Sequence, residues 1–429
     1  MAQSKISRRR LLTTAAAATS GLAFMGPWKH TRVYAQGAAK PIRLGITSDA
    51  SGQYANSGAE DRRGMQMAIA EANAKGGVLG RKIETFHLDT ETTPATGSRV
   101  AERMITRENC GFLIGAIHSG VANAISQVAQ KYGVIYLNTN SSAPSEAGQN
   151  CHRVKFVFDA NGSNFAKAAV QASIEKFGKK WVLLTNDYVW GHSTAAATKA
   201  LLKQFGGEMV EEILVPQGTR DFSSQLLKIQ QLKPGAVAAA IGGDDQKAMR
   251  QQIAQLGMGD KPAWINNQQD WPDVYGLPLD NLFGVFGTTW YYNLDLPGVS
   301  DFVKRYQAMF PDTFIRVPGN VFYNGYWATR ELFAAIERAG STNNIKVIKE
   351  LENLKTSARD RMQHHDAWMD PNTHQMQQSI YLCTANIGTK DKDDMFKVLG
   401  NSSPQEVMDS DAKGACKLES YESTPTFDA

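Results

Sequence analysis

The chain has little cysteine. Its 429 residues hold four, Cys110, Cys151, Cys383 and Cys416, and no two stand at C-x-x-C spacing, which argues against zinc-ribbon and thiol redox chemistry. Beyond Met25 it lacks any apolar run long enough to cross a bilayer. The short signatures of chemistry are missing too: no strand runs into G-x-G-x-x-G, and there is no phosphate loop, H-E-x-x-H or G-x-S-x-G elbow. Ser, His and Asp are plentiful, yet nothing singles out a nucleophile with its base. Nor is there much excess charge, with 46 Lys and Arg against 42 Asp and Glu and a formal balance of +4.

Even that balance is local. The first 35 residues hold six cations (Lys5, Arg8, Arg9, Arg10, Lys29, Arg32) and no carboxylate, so the remainder carries about −2 and nothing points to nucleic acid or a membrane surface. The same residues have the three parts of an export signal: a cationic start, a weakly apolar stretch from Leu11 to Met25, and small residues at Val33-Tyr34-Ala35 for cleavage. Ser7-Arg8-Arg9-Arg10-Leu11-Leu12 resembles the twin-arginine (Tat) signal, whose route carries folded chains. We therefore expect a signal peptide over 1–35, a mature chain from Gln36 with no lipid anchor, and a soluble periplasmic product. In that oxidising compartment four cysteines form two disulfides by one of three pairings. The favoured pairing is Cys110 with Cys151 and Cys383 with Cys416.

From Pro41 onward short apolar runs alternate with amphipathic stretches. "IRLGIT" reads as a strand, "AEDRRGMQMAIAEANAK" as a helix, and "CGFLIGA", "SGVANAISQVAQKYG", "VIYLNT" repeat the unit. Strand, crossover helix and parallel strand define an α/β doubly wound lobe. A second series starts after "HRVKFVF" and runs from "KKWVLLTND" to "PAWINN". "NLFGVFGTTWYY" then reads as a strand passing between lobes, "PGVSDFVKRYQAMF" and "VFYNGYWATRELFAAIERAG" as helices, and "QSIYLCTA" as a late strand. Nearly 400 residues after cleavage exceed one ordinary core, so two lobes are expected. The expected parts are 36–156 for the first lobe, 157–285 for the second, 286–364 for the first resumed, and 365–429 for the second-lobe return with a C-terminal tail.

Ligands of doubly wound lobes sit outside the carboxyl ends of the strands. In "GAIHSG", Ser119 starts a helix; its hydroxyl either caps that helix or, with the free N–H groups there, holds a carboxylate. "LNTNSSAPSE" offers Asn140, Ser141 and Ser142 at a strand end, a composition that turn chemistry before Pro144 also explains. In the second lobe Trp190 of "NDYVWGHS" is either an apolar ligand wall or a core residue. Asp244 and Asp245 of "IGGDDQK" either pair with an ammonium or favour a helix N-terminus. Tyr54 in "SGQYANSG" is placed to cover a ligand, and "NNQQDWPD" adds Gln268, Asp270 and Trp271. His364, His365, Asp366 and His374 lack regular ligand spacing, so no metal is expected.

The span "GAEDRRGMQMAIAEANAKGGVLGRKIETFHLDTETTPATGSRVAERMI" with "GFLIGAIHSGVANAISQVAQKYGVIYLNTNSSAP" resembles the first lobe of periplasmic leucine/isoleucine/valine-type binding proteins. A weaker likeness runs through "DYVWG", "VAAAIGGDDQKAMRQQIAQLG" and "GYWATRELFAAIERAGS" to "DPNTHQMQQSIYL". The resemblance implies a type I periplasmic binding protein: two doubly wound lobes, a three-crossover hinge, and one ligand in the cleft between them. It implies that Ser119 holds a ligand carboxylate with Asn140 and Ser142 beside it, that Trp190 supplies an aromatic wall, and that Asp244 and Asp245 lie near another pocket position. Gln268 and Asp270 compete for the place that takes an α-ammonium.

The expectation is a monomeric, exported solute receptor without catalysis or cofactor. It captures a small carboxylate-bearing molecule, whether amino acid, amide or aromatic acid, and delivers it to an ABC permease complex in the inner membrane. The rivals are a ligand-binding sensor subunit and an exported oxidoreductase.

Overall fold

In the computed structural model, which describes residues 40–429, the first apolar runs form five strands: β1 (Ile42–Ile46), β2 (Ile83–His87), β3 (Phe112–Gly115), β4 (Ile135–Asn138) and β5 (Lys155–Val157). The expected signal and its cleavage point lie outside the described residues. All pairings in this sheet are parallel, in the order β2-β1-β3-β4-β5. Parallel neighbours need crossovers, supplied by helices α1 (Ala55–Ala74), α2 (Pro94–Thr106) and α3 (Ser119–Tyr132). Helices on both faces leave no side of the sheet wet, so β3 and β4 are buried at every residue.

The second sheet repeats the plan. Its elements are α4 (Gly162–Phe177), β6 (Lys180–Asn186), α5 (Val189–Gln204), β7 (Glu208–Val215), α6 (Ser223–Leu232), β8 (Ala236–Ala240), α7 (Gly243–Gln255), β9 (Ala263–Asn266), α8 (Trp271–Val274) and β10 (Val285–Thr288). Along β6 the side chains alternate between two cores. Trp181 and Leu183 pack toward Ala169 and Leu202 of α4 and α5, while Val182 and Leu184 pack toward Leu226 and Met249 of α6 and α7.

The chain then returns to the first lobe through α9 (Val299–Met309), α10 (Asn320–Ala339) and α11 (Asn344–Glu352). A small sheet follows, β11 (Lys355–Thr356), β12 (Ala367–Met369) and β13 (Met376–Gln377), before β14 (Ile380–Ala385) and β15 (Phe396–Ser402) close the second sheet as β15-β14-β10-β9-β8-β6-β7. Helix α10 lies directly on α1. The two backbones touch because the crossing residues are glycines: a Cβ on Gly64 would stand 2.1 Å from the Phe322 carbonyl oxygen, and one on Gly325 would stand 2.5 Å from that of Asp61. Ala328, Leu332 and Ile336 of α10 join the first-lobe core, whereas Phe322, Tyr323 and Tyr326 join an aromatic cluster with Trp271, Trp290, Phe302 and Phe396.

Three passages therefore link the sheets, and they are tied to one another. Gln378 Nε2 donates to the carbonyl of Phe158 (2.7 Å), Gln363 Nε2 to that of Thr289 (2.8 Å), and Gln375 Nε2 to that of Asp159. The fold is α/β with two doubly wound lobes joined by a three-crossover hinge.

Two expectations need correction. "NLFGVFGTTWYY" does not pass between lobes: its β10 is hydrogen-bonded inside the second sheet between β9 and β14, where Phe286 packs on Phe396, and the passage comes after it. The disulfide joins Cys151 to Cys416, with Cα atoms 5.7 Å apart, and leaves Cys110 and Cys383 as buried free thiols. Cys110 sits in the first-lobe core and Cys383 in the aromatic cluster, so neither reaches the partner nearest in sequence.

The reason for the observed pairing is the path of the tail. Val407 packs with Phe165 and Ile380 in the second lobe, the chain meets the first lobe at Cys151, Glu419 accepts from the Arg153 backbone N–H at 2.7 Å, and the Ala429 carbonyl accepts from Arg81 at 2.9 Å. Residues 407–429 thus cross the lobes a further time.

Candidate functional site

In each sheet the strand order reverses beside the first strand, between β1 and β3 and between β6 and β8, and the two reversal points face each other. The loops leaving those strands enclose a narrow cavity that the closed lobes draw nearly shut. The first lobe lines it with Tyr54, Ile117, Asn140 and Ser142, and the second with Tyr188, Trp190, Ile241, Gly242, Gln246, Gln268, Asp270 and Asp273.

The lobes are latched across this cavity. The phenol oxygens of Tyr54 and Tyr188 lie 2.6 Å apart, Ser142 Oγ donates to Gln268 Oε1 at 2.6 Å, Ser57 Oγ to Asp273 Oδ1 at 3.1 Å, and Gln53 Nε2 to the Gly242 carbonyl at 3.0 Å. The His118 ring stacks on Tyr188 with centroids 4.6 Å apart.

One wall is aromatic and aliphatic; the other is acidic. Asp270 Oδ1 accepts from Gln268 Nε2 at 3.0 Å and from Asn320 Nδ2 at 2.8 Å, and among the described residues no group donates to its Oδ2. Gln268 Nε2 also donates to Asp159 Oδ2 at 3.0 Å, which links the cavity to the first crossover. Burial pushes the carboxyls of Asp270, Asp159 and Asp273 upward, Asp273 to about 8, and the charge of Asp270 adds to the effect on the other two. Among the described residues no Lys or Arg lines the cavity to offset them.

Of the residues singled out in the sequence, Tyr54, Asn140, Ser142, Trp190, Gln268 and Asp270 come together here. Three do not. Ser119 is buried but off the lining, its hydroxyl accepting from Ser141 Oγ at 3.0 Å. His118, one residue earlier, caps α3 instead, its Nδ1 accepting from the Val121 N–H at 3.3 Å; burial lowers its pKa to about 4, so it is neutral and able to accept. Asp244 points to the surface and pairs with Arg220 at 3.0 Å. Asp245 turns inward but away from the cavity, accepting from Asn186 Nδ2 at 3.2 Å and the Gly218 N–H at 3.0 Å.

Trp271 belongs to the aromatic cluster. The four residues weighed as metal ligands are dispersed: His374 bonds Glu352 and stacks on Phe156, His364 meets the Tyr381 hydroxyl, His365 meets Asn401, and Asp366 accepts from the Ala358 N–H.

Tyr188, Gln246 and Asp273 were missed. All stand within the loops already singled out, but composition does not tell which side chain of "NDYVWG", "GGDDQK" or "NNQQDWPD" turns inward.

Residues 41–393 match the model of the family described as periplasmic binding protein, so the chain belongs to that family. It is 28% identical over 296 residues to Leu/Ile/Val-binding protein homolog 7 of Brucella abortus (strain 2308), covering 64% of this chain and 72% of that one. The solved amino acid ABC transporter substrate-binding protein of Pseudomonas fluorescens Pf-5 superposes with a TM-score of 0.79 at 19% identity, over 88% of this chain and 99% of that one. A solute-binding protein from R. palustris in complex with benzoate gives 0.74 at 22% identity, over 85% and 97%. The chain is thus a periplasmic binding protein by family, and the relatives and structures it resembles are substrate-binding proteins rather than enzymes. The family is soluble and periplasmic, and among the described residues no helix is long and apolar enough to cross a membrane.

Proposed function

We propose that the protein captures a small zwitterion, an α-amino acid or an amide carrying an amino group, between its lobes and delivers it to an ABC permease complex in the inner membrane. One observation carries the choice of ligand: Asp270 presents an oxygen without a protein donor in a cavity that contains no cation. A protonated amine satisfies that oxygen, whereas a bare carboxylate meets unbalanced negative charge there. Ser142 stands at the first-lobe side for the ligand carboxylate, to which its hydroxyl turns from Gln268, with Asn140 beside it held by Asp61 and the Val321 carbonyl, and Tyr54, Tyr188, Trp190, Ile117 and Ile241 supply the apolar wall. The latch contacts between lobes form only when they close, so the ligand shifts the protein toward the closed form and a permease recognises that form.

The protein works as a monomer in the periplasm, exported by the twin-arginine route. Replacing Arg8 and Arg9 by Lys retains the precursor inside the cell; normal export of that variant would refute the route. The ligand assignment is tested by a thermal-shift screen of refolded, ligand-stripped protein against α-amino acids, amides and aromatic carboxylates. Stabilisation by aromatic carboxylates alone would overturn it.

A further inference from the structure

Behind the cavity, α7 carries two buried residues one turn apart on the same face, Gln246 and Arg250. Arg250 is fully buried, yet among the described residues no carboxylate lies within ion-pair distance of it. Its guanidinium lies beside the rings of Phe283 (5.3 Å) and Phe286 (5.8 Å) and donates to the carbonyls of Asn281 and Phe283 at 3.2 and 3.3 Å. Its Nη2 donates to Gln269 Oε1 at 2.7 Å, and Gln269 Nε2 donates to Gln246 Oε1 at 2.6 Å.

This chain fixes the orientation of both amides. A guanidinium has only donors, so Gln269 must turn its oxygen to Arg250 and its nitrogen to Gln246, and Gln246 must then present its own nitrogen. That nitrogen has no partner, although Gln246 lines the cavity and is 1% exposed. Trp190, also in the lining, has an unpartnered indole Nε1. A buried donor left unpaired is costly, and a ligand acceptor removes that cost.

We propose that Gln246, set by Gln269 and Arg250 and seconded by Trp190, is the specificity-determining donor of the second lobe, so that the ligand is a polar amino acid or amide with a hydrogen-bond acceptor in its side chain rather than a branched aliphatic one. The inference rests on the zwitterion reading above and narrows it. The partial positive charge relayed from Arg250 favours a carbonyl or hydroxyl oxygen at that end. A purely hydrocarbon side chain leaves both donors unpaired, the asymmetry by which polar sites reject apolar isosteres.

The test is calorimetric titration of the ligand-stripped protein with two near-isosteric pairs, asparagine with leucine and threonine with valine. The polar member of a pair should bind at least about tenfold more tightly. Gln246→Leu should abolish or invert that ratio while still binding the apolar member, which shows that the variant is folded. Gln246→Glu, of the same shape but without the donor, should lose the polar ligand as well. Equal or tighter binding of the apolar members by the unaltered protein, a ratio unchanged in both variants, or no binding by either pair would overturn the inference. Leucine binding that is lost in Asp270→Asn would overturn this inference alone and leave the zwitterion reading in place. Affinity for the polar members that is undiminished in Asp270→Asn would do the reverse.

Discussion

The hydroxyl of Tyr54, at the start of α1, lies 2.6 Å from that of Tyr188, at the start of α5, and the pair bridges the two lobes over the cavity. The Tyr54 ring is buried and the Tyr188 ring half-buried, and desolvation raises both phenols well above their usual range, so they stay neutral and the bond persists across ordinary pH. Replacing Tyr188 by Phe keeps the ring on His118 and deletes only the hydroxyl. The closed form should lose about 1 kcal/mol, which is a several-fold loss of ligand affinity. Titration calorimetry of the variant checks this, and unchanged affinity would remove the latch from the account.

Stability should fall as pH rises through the neutral range. Burial pushes Asp61 up to about 8, although Ser48, Thr139 and Asn140 all donate to it; Glu60 goes to about 7 and Asp49 to about 6. Unfolded carboxyls titrate near 4, so between about pH 4 and 8 the folded chain holds protons that the unfolded chain has released. These groups therefore contribute stability that is complete below about pH 4 and lost as pH rises through their folded values. Glu352 acts the other way: burial opposes its ionisation, but hydrogen bonds from His374, Tyr421 and Arg153 hold it below the usual range, so its share is lost in acid. Urea unfolding of the ligand-free protein should have a higher midpoint at pH 5.5 than at pH 8.5. The opposite order would contradict the burial argument.

The tail crossing predicts a mechanical role for Cys151–Cys416. The bond closes a loop across a sequence separation of 265 residues and holds the tail to the first lobe beside its anchor at Val407 in the second. Cys416→Ser, or reduction, should cost about 2–4 kcal/mol of stability. It should also leave the ligand-free protein more open, seen as a larger radius of gyration in X-ray scattering. An unchanged radius would confine the bond to a stabilising role.

Much of the fold was legible because parallel strands covered on both faces read as unbroken apolar runs, as in "CGFLIGA" and "AVAAAIGG", separated by helices of regular period. Non-local relations were not. The pairing of Cys151 with Cys416 depends on where a 23-residue tail lies, counting residues 407–429, and no local pattern encodes that. β10 was misplaced because its apolar run fits a sheet interior as well as a passage between lobes. At the site, strand-end loops were identifiable by position, but the inward side chain of each was not. Ser119 and Asp244 fit the expected chemistry by type, yet one is held by Ser141 and the other by Arg220. Gln246 lay within a segment singled out by position, but nothing in the sequence marked its side chain, since its unpaired nitrogen is set by Arg250 four residues on and by Gln269 on a different loop.

The central claim, a receptor that recognises a protonated amine at Asp270, is tested most directly by one calorimetric comparison. Ligand-stripped protein and its Asp270→Asn variant are titrated with the amino acid that stabilises best and with its des-amino carboxylic acid. The account predicts that the unaltered protein binds the amino acid at least about a hundredfold more tightly than the des-amino acid and that the variant loses most of that difference, as expected when a buried charge pair loses one partner. Equal binding of the two ligands by the unaltered protein, or a preference untouched by Asp270→Asn, would contradict it.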